Sequence, residues 1–441
     1  MSATADLLEL GERIVRLGRE LGADEVAART GAGTWTELVC RDGAVEKAHE
    51  SRSLSATISL LVDDRYSSHH TSDLRPEALR TFLRRAVEAT RYLEPDPDRR
   101  LPELSSQGVS RAALDLLDPQ PLGEAETRRS VTAQVEAAIR AAVSDLPIRS
   151  VSASASSGRS AGAMVHSQGF SAAWEGTRST FYGGLSVEDV GGRLPDSHAS
   201  FSAVHQSDLP PISRVGEEVG ERIRRRLGSG PAPSGRYPLL LEGRVAARLL
   251  GVLTGPLDGT ALFEKRSCMA GRLGQRVASA GFSLYDDPLL PRAIGSRACD
   301  GEGRPSARRA IVEDGVLQSY LLGVYNARRL GVAPTVASLS NVVVPAGRRS
   351  PEAILAELGP SVRVDGFLGG NTHPTSGDFS FGITGLLVDR GEETRRLSEM
   401  NVSGNVFELF DRFLEAAEDT WVYGTWQSPS LLFDDVQLSG T

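Results

Sequence analysis

The sequence predicts an α+β protein of two domains, each with mainly antiparallel sheet and packed helices. Three observations carry that reading. Hairpin signals at Arg41-Asp-Gly43, Glu313-Asp-Gly-Val316 and Asp389-Arg-Gly-Glu392 alternate with long amphipathic stretches. No GxGxxG follows a strand and no GxxxxGKS/T is present, so nothing points to a dinucleotide or P-loop fold. The run Gly228-Ser-Gly-Pro-Ala-Pro-Ser-Gly235 is the sharpest change of composition; it reads as a flexible linker that divides 1–228 from 229–441.

Taken in order, residues 4–22 place Leu7, Leu8, Ile14, Val15, Leu17 and Leu21 at helical steps, and Gly22 ends that helix. Strand-like runs follow at 25–28, 35–40, 44–49 and 53–62. Thr71-Ser-Asp-Leu-Arg-Pro-Glu offers caps for a helix over 76–92, and the Pro- and Asp-rich stretch 95–119 reads as a surface loop. A helix over 122–144 precedes strand signals at 148–190, where alternating Ser and Ala suit strands packed closely against another element. Residues 210–227 are helical. The run Arg222-Ile-Arg-Arg-Arg226, next to Glu217, Glu218 and Glu221, reads as a solvated helix face.

After the linker, Leu239 to Leu241 form a buried strand, and Val245, Leu249, Val252 and Leu253 fall at helical spacing directly behind it. The solvent side of this strand-to-helix junction, a place where many hydrolases hold a metal or nucleophile, carries Glu242, Arg244 and Arg248 and no His, which leaves it as a working site or a vacant one. Strands are expected at 306–313, 317–322, 341–344, 362–368, 377–388, 393–397 and 430–438, with helices at 325–330 and 406–417.

A charged fraction of 24% and a net charge of −8 are those of an ordinary globular chain and argue against nucleic-acid or anionic-membrane binding. No apolar run approaches eighteen residues, the N-terminus lacks a secretory pattern, and three separated cysteines fit a reducing compartment, so a cytoplasmic protein is expected. For metal chemistry, His49-Glu50 has no second His at helical spacing, His69 and His70 point apart on a strand, and His166, His198 and His205 follow no regular spacing. There is no GxSxG elbow, and Cys268 and Cys299 read as inert thiols. Surface or hairpin roles account for Glu242, Glu264, Asp300, Glu302 and Asp378. The densest constellation is Gly377-Asp-Phe-Ser-Phe-Gly-Ile-Thr-Gly385. Its glycines permit close backbone approach, so an extended peptide could add there by main-chain hydrogen bonds, with Gly377, Asp378, Phe379, Ser380 and Gly382 as the candidate peptide-binding residues; a tight bulged strand explains the same residues.

Several of these motifs together resemble the TldD/PmbA family. They are Gly377-Asp-Phe-Ser-x-Gly, Asp389-x-Gly-Glu, Ser403-Gly-Asn405, Asp314-Gly-Val-Leu-Gln-Ser-Tyr-Leu-Leu322, Tyr325-Asn-Ala-Arg-Arg-Leu-Gly331, Ser340-Asn341, His166-Ser-Gln-Gly-Phe170 and Gly176-Thr-Arg178. The resemblance covers nearly the whole chain. It implies two branches: TldD-like members with a zinc-binding HExxxH and a C-terminal Cys, and PmbA (TldE)-like members without them. Here the matching helix begins Leu241-Glu-Gly-Arg-Val-Ala-Ala, and no Cys follows Cys299, so the tail Trp421-Val-Tyr-Gly-Thr-Trp426 offers no thiolate. The resemblance therefore implies a metal-free PmbA-like subunit that pairs with a TldD-like zinc metalloprotease subunit, or with itself, and handles unfolded peptides. Zinc is expected only in the partner. Two further readings stay open: a homodimeric peptide-binding or regulatory protein, which includes the family's older label of DNA gyrase modulator, and an independent hydrolase at Cys268 or an unrecognised site.

Overall fold

The structure is a computed structural model that describes residues 3–104 and 113–441. Residues 105–112 of the expected 95–119 loop fall outside the described residues. The first half comprises α1 (Ala3–Glu20), β1 (Glu25–Arg41), β2 (Ala44–Val62), β3 (Arg65–Thr71), α2 (Pro76–Thr90), α3 (Ala125–Ala142), β4 (Ile148–His166), β5 (Ser171–Val187), β6 (Asp196–Ala203) and α4 (Ser213–Arg226). Its strands make one antiparallel sheet in the order β3-β2-β1-β4-β5-β6.

The runs 25–28 and 35–40 join in one strand of 17 residues and 44–49 and 53–62 in one of 19, and the 148–190 stretch holds two more of 19 and 17. The small residues that look like breaks make room for tryptophans: a Cβ on Gly158 would stand 2.5 Å from the Trp35 ring, and one on Gly162 2.5 Å from Trp174. The β1–β2 turn has both Asp42 and Gly43 at positive φ (50° and 80°), the geometry its Asp-Gly pair predicts. At α2 the expected side-chain cap is missing: Arg75 is the N-cap residue, Pro76 supplies the preset first turn, and Asp73 holds Arg75 instead. The four helices cover one face of the sheet, α1 and α2 on Val26, Ala28, Ile58 and Leu60, and α3 and α4 on Val151, Ala153, Phe181 and Leu185. The opposite face, with Arg29, Trp35, His166 and Trp174, turns toward the second half of the chain.

The second half comprises β7 (Gly235–Leu241), α5 (Ala247–Thr254), α6 (Gly259–Phe263), β8 (Leu284–Asp286), β9 (Arg309–Glu313), β10 (Val316–Leu317), α7 (Val324–Leu330), β11 (Val342–Val343), α8 (Pro351–Glu357), β12 (Ser361–His373), β13 (Asp378–Asp389), β14 (Glu392–Asn405), α9 (Val406–Asp411), β15 (Phe413–Ala416), β16 (Trp426–Gln427) and β17 (Leu431–Ser439). A first sheet runs β14-β13-β12-β7-β17-β15 and curls until β14 also meets β17 at Val402 and Leu438; only β7 and β12 are parallel. Five short strands, β10-β9-β8-β11-β16, form the other sheet. Leu239, Leu241, Leu249, Leu253, Phe381, Phe410 and Phe433 meet in the core between them.

Two expectations fail here for physical reasons. The 228–235 stretch is not flexible: Gly230 pairs with Leu397, Ala232 is fully buried, and Arg395 donates to the Pro231 carbonyl at 2.8 Å. The helix expected over 406–417 stops at Asp411. Phe413 leaves the helix to pair with Phe433 in β15–β17 and packs edge-on against Phe282, so its ring joins an aromatic cluster in the core.

Candidate functional site

β7 runs out of the core as a strand, and Glu242 follows it with extended backbone, its N–H held by the Val364 carbonyl at 3.1 Å. Gly243 comes next because the chain passes under residues 428–429; a Cβ there would stand 2.1 Å from the Ser428 carbonyl oxygen. A single 3₁₀ turn and then α5 carry the chain away, with Leu249 and Leu253 in the core.

The solvent side of this junction is not empty, which corrects the sequence reading. The Glu242 side chain is 12% exposed. Its Oε1 accepts from Arg225 Nη1 and Arg363 Nε, both at 2.8 Å, and Arg244 Nε lies 3.3 Å from Oε2. Burial alone would raise this carboxyl, but the guanidinium groups of Arg363, Arg244 and Arg225 outweigh it and hold the group below its ordinary range. Asp365, also buried, accepts from Thr384 Oγ1 at 2.9 Å, lies 3.6 Å from Arg225, and offers its carbonyl to Arg244. Arg248 stands apart, exposed and stacked on Phe381 at 4.5 Å.

The Arg222–Arg226 run is likewise not a plain solvated face. Arg222 and Arg225 turn inward; Arg222 donates to the His198 carbonyl and bonds Glu218, and burial, helped by Arg244, brings its pKa down to about 10. The tail closes the far wall, where Trp421 and Tyr423 pack on Phe201 with centroids 5.3 and 4.9 Å away. Together these residues line a cavity of about 370 Å³. They do not fit a zinc ion. Of the carboxylates in the lining, Glu242 is engaged by three cations and Glu218 by Arg214 and Arg222, and the lining has no imidazole or thiolate. Among the described residues, no group of three or more His, Cys, Asp or Glu could hold a metal ion.

The candidate peptide-binding stretch lies on β13. Gly377 (φ 84°) forms the buried turn before it, near Cys268 and Val406. Asp378 is exposed and ties that turn to β14, accepting from Ser376 Oγ at 2.6 Å and Asn405 Nδ2 at 2.9 Å; these hydrogen bonds keep its pKa low. Phe379 is buried and stacks on Phe381, whereas Ser380 is exposed. Gly382 passes so close to Leu368 that a Cβ would stand 2.6 Å from its carbonyl oxygen. The expected main-chain addition of a peptide to this stretch does not hold. β13 is an inner strand, with Ser380 opposite Asn371 on one side and Ser403 on the other, so both of its edges are taken. Cys268 and Cys299 have thiol pKa values raised chiefly by burial, the opposite of an activated thiolate.

Sequence reasoning missed Arg225, Arg363, Asp365, Phe201, Trp421 and Tyr423 as members of one site. They come from β6, α4, β12 and the tail, and no local spacing joins them. The Arg-rich run of α4 was the one available signal.

Comparison with known proteins supplies the context. A family model described as PmbA/TldA metallopeptidase C-terminal domain matches residues 234–440, and one described as PmbA/TldA metallopeptidase domain 1 matches 26–90. The Metalloprotease PmbA of Escherichia coli is 25% identical over 426 residues, covering 96% of this chain and 93% of that protein. A Bacteroides thetaiotaomicron crystal structure, described as a candidate modulator of DNA gyrase, is 29% identical and superposes with a TM-score of 0.93 over 98% of both chains. TldE from Thermococcus kodakarensis, 20% identical, shares the fold with a TM-score of 0.85, over 98% of this chain and all (100%) of that one.

Proposed function

This chain belongs to the PmbA/TldD family, and from that premise we propose that it is a metal-free, TldE-like, non-catalytic subunit of a two-component metalloprotease. The partner is a TldD-like zinc subunit, and the complex processes or degrades unfolded peptides in the cytoplasm. Residues 1–228 and 229–441 act as its two domains.

One observation carries this reading. At the strand-to-helix junction, where the resemblance places the zinc-binding HExxxH of TldD-like members, this chain has the Glu242 cluster with Arg225, Arg244 and Arg363. A dication at that place would meet three guanidinium charges and one occupied carboxylate. The chain supplies walls and charge instead of the ion that activates water. The exposed side chains of Asp378 and Ser380, flanked by Gly377, Phe379 and Gly382, form its peptide-contacting strip.

A reading as a self-paired regulatory protein draws on one feature. β2 pairs with β3 only over 56–62, so residues 44–55 form an exposed sheet edge of the kind that adds a strand from another chain. Size measurement in solution separates the two readings. The proposal expects a larger species only when a TldD-like chain is added. A stable homodimer that ignores such a chain contradicts it.

A further inference from the structure

A second cavity, of about 230 Å³, lies well away from the Glu242 junction, between the uncovered face of the first sheet and the loop and helix around Gly301 and Tyr325. Its floor is Arg29 on β1, Thr57 and Ser59 on β2, and Met164 and His166 on β4; Tyr66, Arg99, Arg100 and Glu302 complete the wall.

Most of its polar groups are already satisfied. Tyr66 shares a hydrogen bond with Ser59 at 3.1 Å, and Tyr325 donates to Asp96 at 2.9 Å. Arg100 pairs with Asp64 at 2.7 Å, and Arg99 stacks on the rings of Tyr325 and Tyr66, 3.5 and 4.9 Å away. Both oxygens of Glu302 accept from the Val324 N–H at the start of α7. Two groups have no polar partner among the described residues. His166 is 4% exposed, yet its Nδ1 has no hydrogen bond. Arg29 has no acidic partner; it is exposed at the cavity, with its guanidinium carbon 5.3 Å from the Trp174 ring centroid. A buried imidazole nitrogen without a partner costs free energy that a bound ligand recovers. An arginine without a counter-ion beside it selects the ligand's charge, because its planar fork matches an oxyanion.

We propose that this cavity is a binding site for a small oxyanion, a carboxylate or a phosphate, held by Arg29 and hydrogen-bonded to His166. The volume equals about seven or eight waters in the liquid, the size of an amino acid or a small phosphate ester and too small for a folded partner. Of its three arginines, Arg100 is paired with Asp64 and Arg99 lies 4.0 Å from Asp96, which leaves Arg29 as the one without an acidic partner among the described residues.

The test is thermal-shift and calorimetric titration of the full chain with acetate, L-glutamate, glycylglycine and inorganic phosphate, each against sodium chloride at matched ionic strength. The proposal expects a saturable rise in melting temperature with at least one oxyanion, and the one that binds most tightly identifies the source. Arg29→Gln, an exposed change that should fold normally, should weaken that binding about tenfold or more. His166→Asn, which restores a polar group of smaller size, should weaken it less. No oxyanion effect beyond chloride at 10 mM (roughly the weak end of small-ligand affinity) overturns the proposal. So does equal binding by wild type and Arg29→Gln.

Discussion

Replacing Glu242 with alanine is the sharpest perturbation available, because one side chain holds three cations. The change leaves Arg225 and Arg363, each 18% exposed, without the carboxylate they share at 2.8 Å and Arg244 without the one at 3.3 Å, although Arg363 keeps Glu352 at 3.3 Å and Arg244 keeps the Asp365 carbonyl. Breaking a buried ion pair from one side costs about 3–5 kcal/mol, mostly because the remaining charges stay desolvated and unpaired. Asp365 can take over Arg225 in part, from 3.6 Å, so the low end, about 3 kcal/mol, is expected. Glu242→Gln keeps the shape and one acceptor and should lose less, about 2 kcal/mol. Urea unfolding followed by tryptophan fluorescence is the assay, since Trp421 lines the same cavity. The pH dependence has a definite sign. The folded pKa of Glu242 lies below its ordinary 4.5, so its contribution is fully present above that value and is lost as pH falls through the lower folded pKa. The difference between wild type and Glu242→Ala should therefore shrink below about pH 4.5. A loss under about 0.5 kcal/mol at pH 7, the range of an ordinary surface change, would refute the cluster as a structural element.

Three further outcomes follow from other places in the fold. Gly243→Ala should destabilise by about 1–3 kcal/mol or displace residues 428–429, because its methyl has no room beside the Ser428 carbonyl; unfolding and limited proteolysis of the tail report both. Trp421→Ala removes the ring that joins the tail to Phe201 on the first sheet, and should cost about 2 kcal/mol for a half-buried aromatic, read by urea unfolding followed by circular dichroism because the variant lacks that fluorescent ring. Burial lowers the pKa of His166 from 6.5 to about 4. The folded protein thus keeps it neutral down to about pH 4 while the unfolded chain takes up its proton near 6.5, so stability on the order of 3 kcal/mol is lost as pH falls from 6.5 to 4. His166→Phe should lack that component when unfolding free energies are compared across the window.

The hairpins were legible because their turns are local. Asp42-Gly43, Asp314-Gly315 and Arg390-Gly391 all adopt positive φ, and residue type alone announces that. The long strands were harder to read. Gly31, Gly33, Gly158 and Gly162 look like strand ends, and only the tertiary placement of Trp35 and Trp174 explains Gly158 and Gly162 as clearances. The linker was misread for a similar reason: its Gly, Pro and Ser content is that of a loose chain, but Met400, Arg395 and Thr441 anchor it from the far end of the sequence. At the junction, residue types gave no hint that Arg225 and Arg363 reach Glu242 across 17 and 121 positions. An unpaired carboxylate and a buried ionic lock look alike until the partners are placed.

The most direct test of the proposed function is peptide hydrolysis by three samples: this chain alone, a TldD-like HExxxH chain alone, and the two together. An unfolded peptide is the substrate, with and without chelator. A non-catalytic subunit predicts no cleavage by this chain alone, chelator-sensitive cleavage by the mixture, and co-elution of the two chains. Cleavage by the isolated chain that survives chelator would contradict it.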